Sequence, residues 1–506
     1  MIPVSVETVL NPAEALTVDM LEKAAGPLKV VLADDVESRV RRGHGFVSEC
    51  LTDGRPVYGA TTGFGPLVTF GGRDSQEAQC DNALQHLTAG QGPELPPEVV
   101  RATMLMRTWS LARGLSGISP TALEMLGAVL ETDFTPVVPS LGSVGASGDL
   151  VPLAYVAQSL RGVGEAWLGG ERLPAATALA RIGLRPLVFT GRDALSMVNG
   201  TSVTSAAGGL TVAILRRSFE SAIVLSALLT DVLGAGSDFL GPSLLRAFGH
   251  PETAEVGERL RDHLAGSVAS GDRPLQEPYS VRCVPQLLGA ARSALDWAGG
   301  VIERDLNGVS DNPLFFPDEN LTAHGGNFFG QPTAFASDML SIIATQMGNL
   351  AERQLDLLVD PVRSSGLPPM LSPDPGVTHA VQGVQLVTTA VVASMRRACV
   401  PASIQSIPTN LHNQDVVPFG TQAALTALEQ ARCLRVLHGS LAVGLRQAAY
   451  LRQDRPKARR CAVLLDALAD VVPPIVTDRP LDADVRAAAD VLDRFVTRQD
   501  PKTADN

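Results

Sequence analysis

Gly142-Ser143-Val144-Gly145-Ala146-Ser147-Gly148-Asp149-Leu150 is the stretch on which the fold turns. A run of Gly, Ser and Ala is ordinarily a turn. This run also permits a backbone reaction. The Gly148 nitrogen can attack the Ala146 carbonyl carbon, and loss of two waters then leaves an imidazolone ring whose exocyclic methylidene carbon was the Ser147 Cβ. Small residues are a requirement of that reaction. Gly148 carries no Cβ, so it can take the bend that brings its nitrogen onto a carbonyl two residues back, and Gly145 gives the same freedom on the other side. A plain turn and a backbone electrophile both fit the tripeptide, and residues elsewhere must separate them.

Hydrophobic residues make up 45% of the 506 positions and charged residues 19%. That is enough for a large core, with apolar surface left over for subunit contacts. An oligomer is therefore expected. A net charge of -12 with scattered Lys and Arg argues against a nucleic-acid partner; the short basic group from Arg455 to Arg460 reads as solvated surface. Cys50, Cys80, Cys283, Cys399, Cys433 and Cys461 stand far apart with no CxxC or metal-ligand spacing, which fits a reducing cytoplasm and no metal. Met1 to Val9 lacks the basic start and apolar core of a secretory signal. Ala194 to Leu215 is uncharged but diluted by Asn199, hydroxyl residues, Gly200, Gly208 and Gly209, so it reads as a buried helical approach and not as a membrane span.

Helical periodicity dominates, and few β-branched runs alternate strictly enough for a sheet, so the expected class is mostly α. Between Thr333 and Asp360, Met339, Ile343, Met347 and Leu350 recur at helical spacing as a core stripe. Glu352, Arg353 and Asp356 gather towards the end, and Glu352-Arg353 with the more distant Arg363 reads as a solvated or ion-paired helix face. Comparable patterns run from Thr201 to Leu233, Val381 to Val400 and Leu425 to Leu451, which predicts a bundle of elongated helices. Gly and Pro mark breaks at 63–66, 234–242, 313–317 and 368–375. Polar motifs collect in or near such breaks, where a rigid frame can hold catalytic side chains drawn from remote segments. No linker or low-complexity tract divides the chain. One interlocked catalytic unit is expected, with a 1–200 region bearing the tripeptide and a mobile Tyr58 loop, a 201–455 long-helix bundle and a 456–506 helical tail.

Two of the four tyrosines occupy unusual segments, Val57-Tyr58-Gly59-Ala60-Thr61-Thr62-Gly63-Phe64-Gly65 and Gln276-Glu277-Pro278-Tyr279-Ser280-Val281-Arg282-Cys283. A phenol used as a base needs a positive setting, such as helix N-termini or an Arg. Each Tyr would also serve as a structural residue with its hydroxyl on a backbone partner. Taken with Ala146-Ser147-Gly148, these two segments, Asn199-Gly200-Thr201-Ser202, Ser310-Asp311-Asn312-Pro313 and Asn413-Gln414-Asp415 come in the order of the aromatic amino acid ammonia-lyase and aminomutase family. The chain resembles that family from Leu16 to Asp484. The resemblance implies a long-helix bundle of the aromatic ammonia-lyase, fumarase/aspartase-like type, assembled as a homotetramer whose active sites draw on three subunits. It implies 4-methylideneimidazol-5-one (MIO) formed autocatalytically from Ala146, Ser147 and Gly148, with helix N-termini directed at it and no metal. It also implies roles: Tyr58 as the base for the β-proton on a loop that closes over the substrate, and Tyr279 assisting near MIO. Arg282 would fork the substrate carboxylate with Asn312 beside it, while Asn199 and Gln276 would position MIO or the amine. Phe329 stands where many relatives carry His.

Asn82-Ala83-Leu84-Gln85-His86-Leu87-Thr88-Ala89-Gly90 resembles the family's ring-selecting segment. Tyrosine ammonia-lyases commonly have His-Leu at the place of His86-Leu87, phenylalanine enzymes Phe-Leu and histidine enzymes Ser-His. A neutral imidazole can pair with a phenol hydroxyl, whereas phenylalanine would leave a buried nitrogen unpaired at a cost of about 1–3 kcal/mol. In Thr409-Asn410-Leu411-His412-Asn413-Gln414-Asp415-Val416-Val417, histidine enzymes commonly have Glu where Gln414 stands, and Asn410 replaces a Glu frequent in plant phenylalanine enzymes. Asn410, Asn413 and Gln414 thus join the substrate-binding set, although the same Thr, Asn and Asp would suit a capped helix start. The resemblance is closest to bacterial tyrosine ammonia-lyases and implies cytoplasmic conversion of L-tyrosine, a small aromatic amino acid, into trans-4-coumarate and ammonia. The alternatives are a phenylalanine or histidine ammonia-lyase, a tyrosine 2,3-aminomutase giving β-tyrosine, and a noncatalytic helical oligomer on the same scaffold.

Overall fold

A computed structural model of the protein describes residues 8–453 and 456–499. Most of the Met1 to Val9 stretch, and Arg455 of the basic group, lie outside them. Among the described residues helices dominate, as the periodicity predicts, and strands of two to four residues form four small sheets, with a few isolated bridges besides. The chain folds as two compact units. The first runs up to Ala213 and adds Ala298–Asp338 and Pro401–Leu425; the second comprises Ile214–Trp297, Met339–Val400 and the chain from Thr426.

In the first unit, α1 (Asp34–Thr52) starts with Asp34, Asp35 and Glu37, which suit the positive end of the helix dipole. Its buried stripe is Val36, Val40, Gly43, Phe46, Val47 and Cys50. Phe46, Val47 and Cys50 pack with Val57 and Phe315 into one apolar cluster, which roots the chain just before Tyr58. Helix α2 (Gln76–Leu87) is capped by Ser75, whose Oγ accepts the Ala78 N–H at 3.1 Å, and it buries Gln79, Cys80, Ala83 and Leu84. Helix α3 (Pro97–Ala112) is buried from Val99 to its end, the signature of a helix with core on every side. Helix α4 (Leu150–Leu160) follows the tripeptide directly.

The predicted long helices are present as α5 (Ser202–Leu233), α7 (Gln331–Val359), α8 (Gln382–Ala398) and α9 (Gly420–Arg452), and α6 (Val284–Leu306) adds one that the sequence reading did not single out. The charged end of α7 is an ion-paired face: Arg353 pairs with Glu352 and Asp356, and Arg363 with Asp356 and Asp360. Ala194 to Leu215 is divided between the short helix Asp193–Val198 and the start of α5. Among the described residues no helix is long and apolar enough to cross a membrane. A hairpin of β1 (Leu314–Phe316) and β2 (Leu321–Ala323), in register Leu314 to Ala323 and Phe316 to Leu321, delivers His324 and Gly325 next to the Asn312 segment.

Candidate active site

Helices α4, α5, α7 and α9 all begin at the segment 143–149. Asp149 N–H donates to the Gly200 carbonyl at 2.7 Å just before α5, Gly330 N–H to the Gly145 carbonyl at 3.4 Å just before α7, and Phe419 N–H to the Val144 carbonyl at 3.0 Å just before α9. Helix starts carry partial positive charge, so their convergence favours negative charge at this place. Gly148 has φ +71°, and a Cβ there would lie 2.2 Å from the Gly200 oxygen, so no other residue fits. Ala146 and Gly148 are buried, while Ser147 between them is half-exposed. Asp149 is fully buried and accepts from Ser143 Oγ at 3.0 Å, Thr204 N at 2.8 Å, Thr204 Oγ1 at 2.9 Å and Thr421 Oγ1 at 2.6 Å. Burial pushes the Asp149 carboxyl up, against the pull of those hydrogen bonds.

The Tyr58 loop is fastened by a residue the sequence reading passed over. Gln79, 2% exposed, donates through Nε2 to the carbonyls of Gly59 at 3.1 Å and Thr62 at 2.9 Å, and its Oε1 accepts the Arg73 N–H at 2.9 Å. Gly65 N–H donates to Tyr58 Oη at 2.8 Å. Tyr58 lines a cavity of about 450 Å³ with Thr62, Asn312 and His324. Asn312 Oδ1 accepts the Gly325 N–H at 2.7 Å, which fixes the amide with Nδ2 as its remaining donor. The Asn312 carbonyl accepts Asn199 Nδ2 at 3.1 Å, and Asn199 Oδ1 is buried without a partner. Beneath Asn312, the fully buried Asp311 pairs with Arg192 at 2.9 Å and Arg107 at 3.8 Å and takes the Asn312 N–H at 2.7 Å. Burial lowers Arg107 to about 10. Burial first, and Arg192 second, push the His324 pKa down, favouring its neutral form.

The segment 409–415 excludes the structural alternative that its residues offered. Thr409 and Gln414 exchange backbone hydrogen bonds at 3.0 and 3.3 Å, and Asn410, Leu411 and His412 all take left-handed conformations with φ of 51°, 52° and 61°. This is a left-handed turn and not a capped helix start, since α9 begins only at Gly420. Gln414 Nε2 donates to Ser147 Oγ at 2.7 Å, while Asn410 and Asn413 are exposed. His86 corrects an expectation. It lies in the last turn of α2, beyond the last buried residue Leu84, so it is exposed and not buried as the ring-selection reading expects. Its Nδ1 lies 2.7 Å from the Asn82 carbonyl, which can only accept, so Nδ1–H donates there, which in the neutral ring leaves Nε2 as an acceptor. Leu87 beside it is half-buried.

The second unit holds the remaining candidates. The short helix Tyr279–Arg282 is held by Gln354, whose Nε2 donates to the Ser280 carbonyl at 3.0 Å, and by the buried pair of Arg273 with Glu277 just ahead of it. Arg282 lies over the Tyr279 ring at 4.7 Å with its Nε buried and unpartnered, Tyr279 is 71% exposed, and Gln276 is exposed. Tyr58, the tripeptide, His86, Asn199, Asn312 and Gln414 thus belong to the first unit, and Gln276, Tyr279 and Arg282 form a cluster of the second.

The sequence profile described as aromatic amino acid lyase matches residues 16–470. The chain belongs to that family. It is 39% identical to a histidine ammonia-lyase of Anaeromyxobacter dehalogenans (96% of this chain, 99% of the relative). It is 38% identical to a tyrosine ammonia-lyase of Cereibacter sphaeroides (92% of this chain, 94% of the relative). In structure it superposes on a tyrosine aminomutase of Streptomyces globisporus with a TM-score of 0.91 at 29% identity, covering 99% of both chains. Overall identity therefore establishes an aromatic amino acid lyase without choosing the amino acid.

Two features of this aromatic amino acid lyase escaped the sequence reading. Gln79 precedes His86 by two helical turns and shares its face, so the period of α2 could have linked it to the site. His324 follows a three-residue strand and carries no local signal; only the hairpin brings it to the Tyr58 cavity.

Proposed function

We propose that the protein is an MIO-dependent ammonia-lyase that converts L-tyrosine into trans-4-coumarate and ammonia. The observation that carries the ring preference is the His86 tautomer: with Nδ1–H on the Asn82 carbonyl, Nε2 is an acceptor for a phenol O–H that phenylalanine lacks. The residues at 143–149 fit the prosthetic group. Ser147 alone of its tripeptide reaches outward, Gly148 fills a cradle that admits no Cβ, and the unpartnered Asn199 Oδ1 belongs to the residue preceding Gly200. When formed, MIO supplies an electrophilic carbon that turns the substrate amine into a leaving group.

The chain's own side chains would do the rest. Tyr58 takes the β-proton, and the Gly65 N–H directed at its oxygen meets negative charge there. Asn312 Nδ2 donates to the substrate carboxylate. Arg282 holds that carboxylate as a fork, with Tyr279 and Gln276 beside it, supplied by another copy of the chain in a homotetramer. Asn199 Oδ1 accepts from the amine, and Gln414 Nε2 holds Ser147 Oγ in the unreacted chain, before that oxygen leaves as water. Leu87, Asn410 and Asn413 shape the remaining walls. The setting is cytoplasmic.

Identity of 39% to a histidine ammonia-lyase supports a second reading, in which histidine is the substrate. The neutral Gln414 amide speaks against it, because it offers an imidazolium no opposite charge. An ultraviolet assay of purified protein with tyrosine, phenylalanine and histidine tests the choice. Coumarate is the expected product; urocanate without coumarate would reject the tyrosine reading.

A further inference from the structure

Phe64 stands between two residues with separate tasks. Its ring meets the Tyr58 ring edge-on, with centroids 6.4 Å apart at 89°, and lies against the His86 ring at 5.4 Å and 30°. A Cβ on Gly59 would come within 2.9 Å of the same ring, so Phe64 is packed against the backbone next to Tyr58 as well. The following residue, Gly65, donates its N–H to Tyr58 Oη at 2.8 Å. Gln79 on the His86 helix holds the carbonyls of Gly59 and Thr62, both between Tyr58 and Phe64. The Phe64 ring therefore links the His86 ring to the Tyr58 ring through two aromatic contacts.

Resting on the tyrosine reading above, we propose that Phe64 is a positioning residue that couples ring recognition at His86 to the placement of Tyr58. A phenol seated on His86 Nε2 fixes the imidazole, the imidazole fixes the Phe64 ring, and Phe64 with Gly65 sets where the Tyr58 oxygen stands relative to the β-proton. Misplacement on the ångström scale costs about 10²-fold in rate. The coupling should therefore show in kcat more than in KM.

The test is a double-mutant cycle on the ratio of kcat/KM for tyrosine to that for phenylalanine. In the wild-type background His86→Phe moves this ratio by about tenfold to a hundredfold. In a Phe64→Leu background the same substitution should move it at least about threefold less, since coupled residues are non-additive. Phe64→Leu alone should lower kcat for tyrosine by about tenfold or more with little change in KM, and raise the isotope effect with β-deuterated tyrosine. Phe64→Tyr, which keeps the ring, should restore both. Should Phe64→Leu fold poorly, Phe64→Met fills the volume without a ring plane and serves in the same cycle. Equal swings in both backgrounds, or loss of kcat that Phe64→Tyr does not repair, overturns the coupling. Failure of the tyrosine reading looks different: the wild type itself yields no coumarate, and the coupling falls with it.

Discussion

In the turn from Ser143 to Asp149, Ser143, Asp149, Thr204 and Thr421 form a closed hydrogen-bond set, Gly148 touches Gly200 backbone to backbone, and helix starts surround the whole. The loop from Val57 to Gly72 is tied at its base by Gln79 and by the Gly65 bond to Tyr58, while its far end, with Phe70 65% exposed, is open. Both use glycine, for opposite purposes. Gly148 is required because a Cβ has no room, whereas a Cβ on Gly71 would meet nothing within 4 Å. On the proposed function, the first region would hold an electrophile still, and the second would bring a base over the substrate and withdraw it.

The comparison can be broken most directly at Gly148. Gly148→Ala should remove ring formation and cut turnover by at least about 10³-fold. Intact mass would show the loss of two waters absent in the variant; a variant that keeps this deficit and its activity would mean that the turn is not constrained as described. Tyr58→Phe should strike the other region alone. Its kcat should fall by about 10² to 10⁴-fold while the two-water deficit and the melting temperature are retained, as mass spectrometry and calorimetry would register. His86→Phe should shift the preference from tyrosine towards phenylalanine by about tenfold to a hundredfold with both regions otherwise intact. An unchanged ratio would remove His86 from ring selection.

The smallest effect sharpens the contrast through pH. Burial raises the Asp149 carboxyl above its unfolded value, so its contribution to stability is full below the unfolded carboxylate range and is lost as pH rises through the folded value. Asp149→Asn should flatten the fall of stability with rising pH by up to about 1.4 kcal/mol per pH unit, measured by urea unfolding at stepped pH. Asp305 and Asp311, raised by burial in the same way, retain their share in that variant. Tyr58→Phe should leave the curve as it is. A wild-type slope in the Asn variant would take Asp149 out of the account.

The long helices were legible because apolar residues at three- and four-residue spacing reach across many turns, and α7 falls at Gln331–Val359 against a predicted Thr333 to Asp360. The tripeptide, Tyr58 and Gln414 were singled out by residue type in a fixed order; the structure puts Gln414 on Ser147, and their chemical roles belong to the proposal. The turn at 410–412 was not, since three successive non-glycine residues with positive φ are rare, and of the three Leu411 goes most strongly against its backbone preference. The structure imposes this conformation through the Thr409 to Gln414 pairing, which no residue in the segment announces. His86 was found by type but its surroundings were misjudged, because exposure depends on which face of α2 the neighbours cover. Asn312 gained its meaning from Asp311, a buried anion between two arginines that only the folded chain brings together.

Gly200 is wedged between Gly148 and the Ser310 carbonyl, from which a Cβ on Gly200 would stand 2.1 Å away. Neither glycine can take a side chain without displacing its neighbour's backbone. A directed-evolution library aimed at new aromatic amino acids should spare them and spend its variation around Gly71 and the outer face of α2. On such a scaffold substrate range is free to drift while the reactive centre stays frozen.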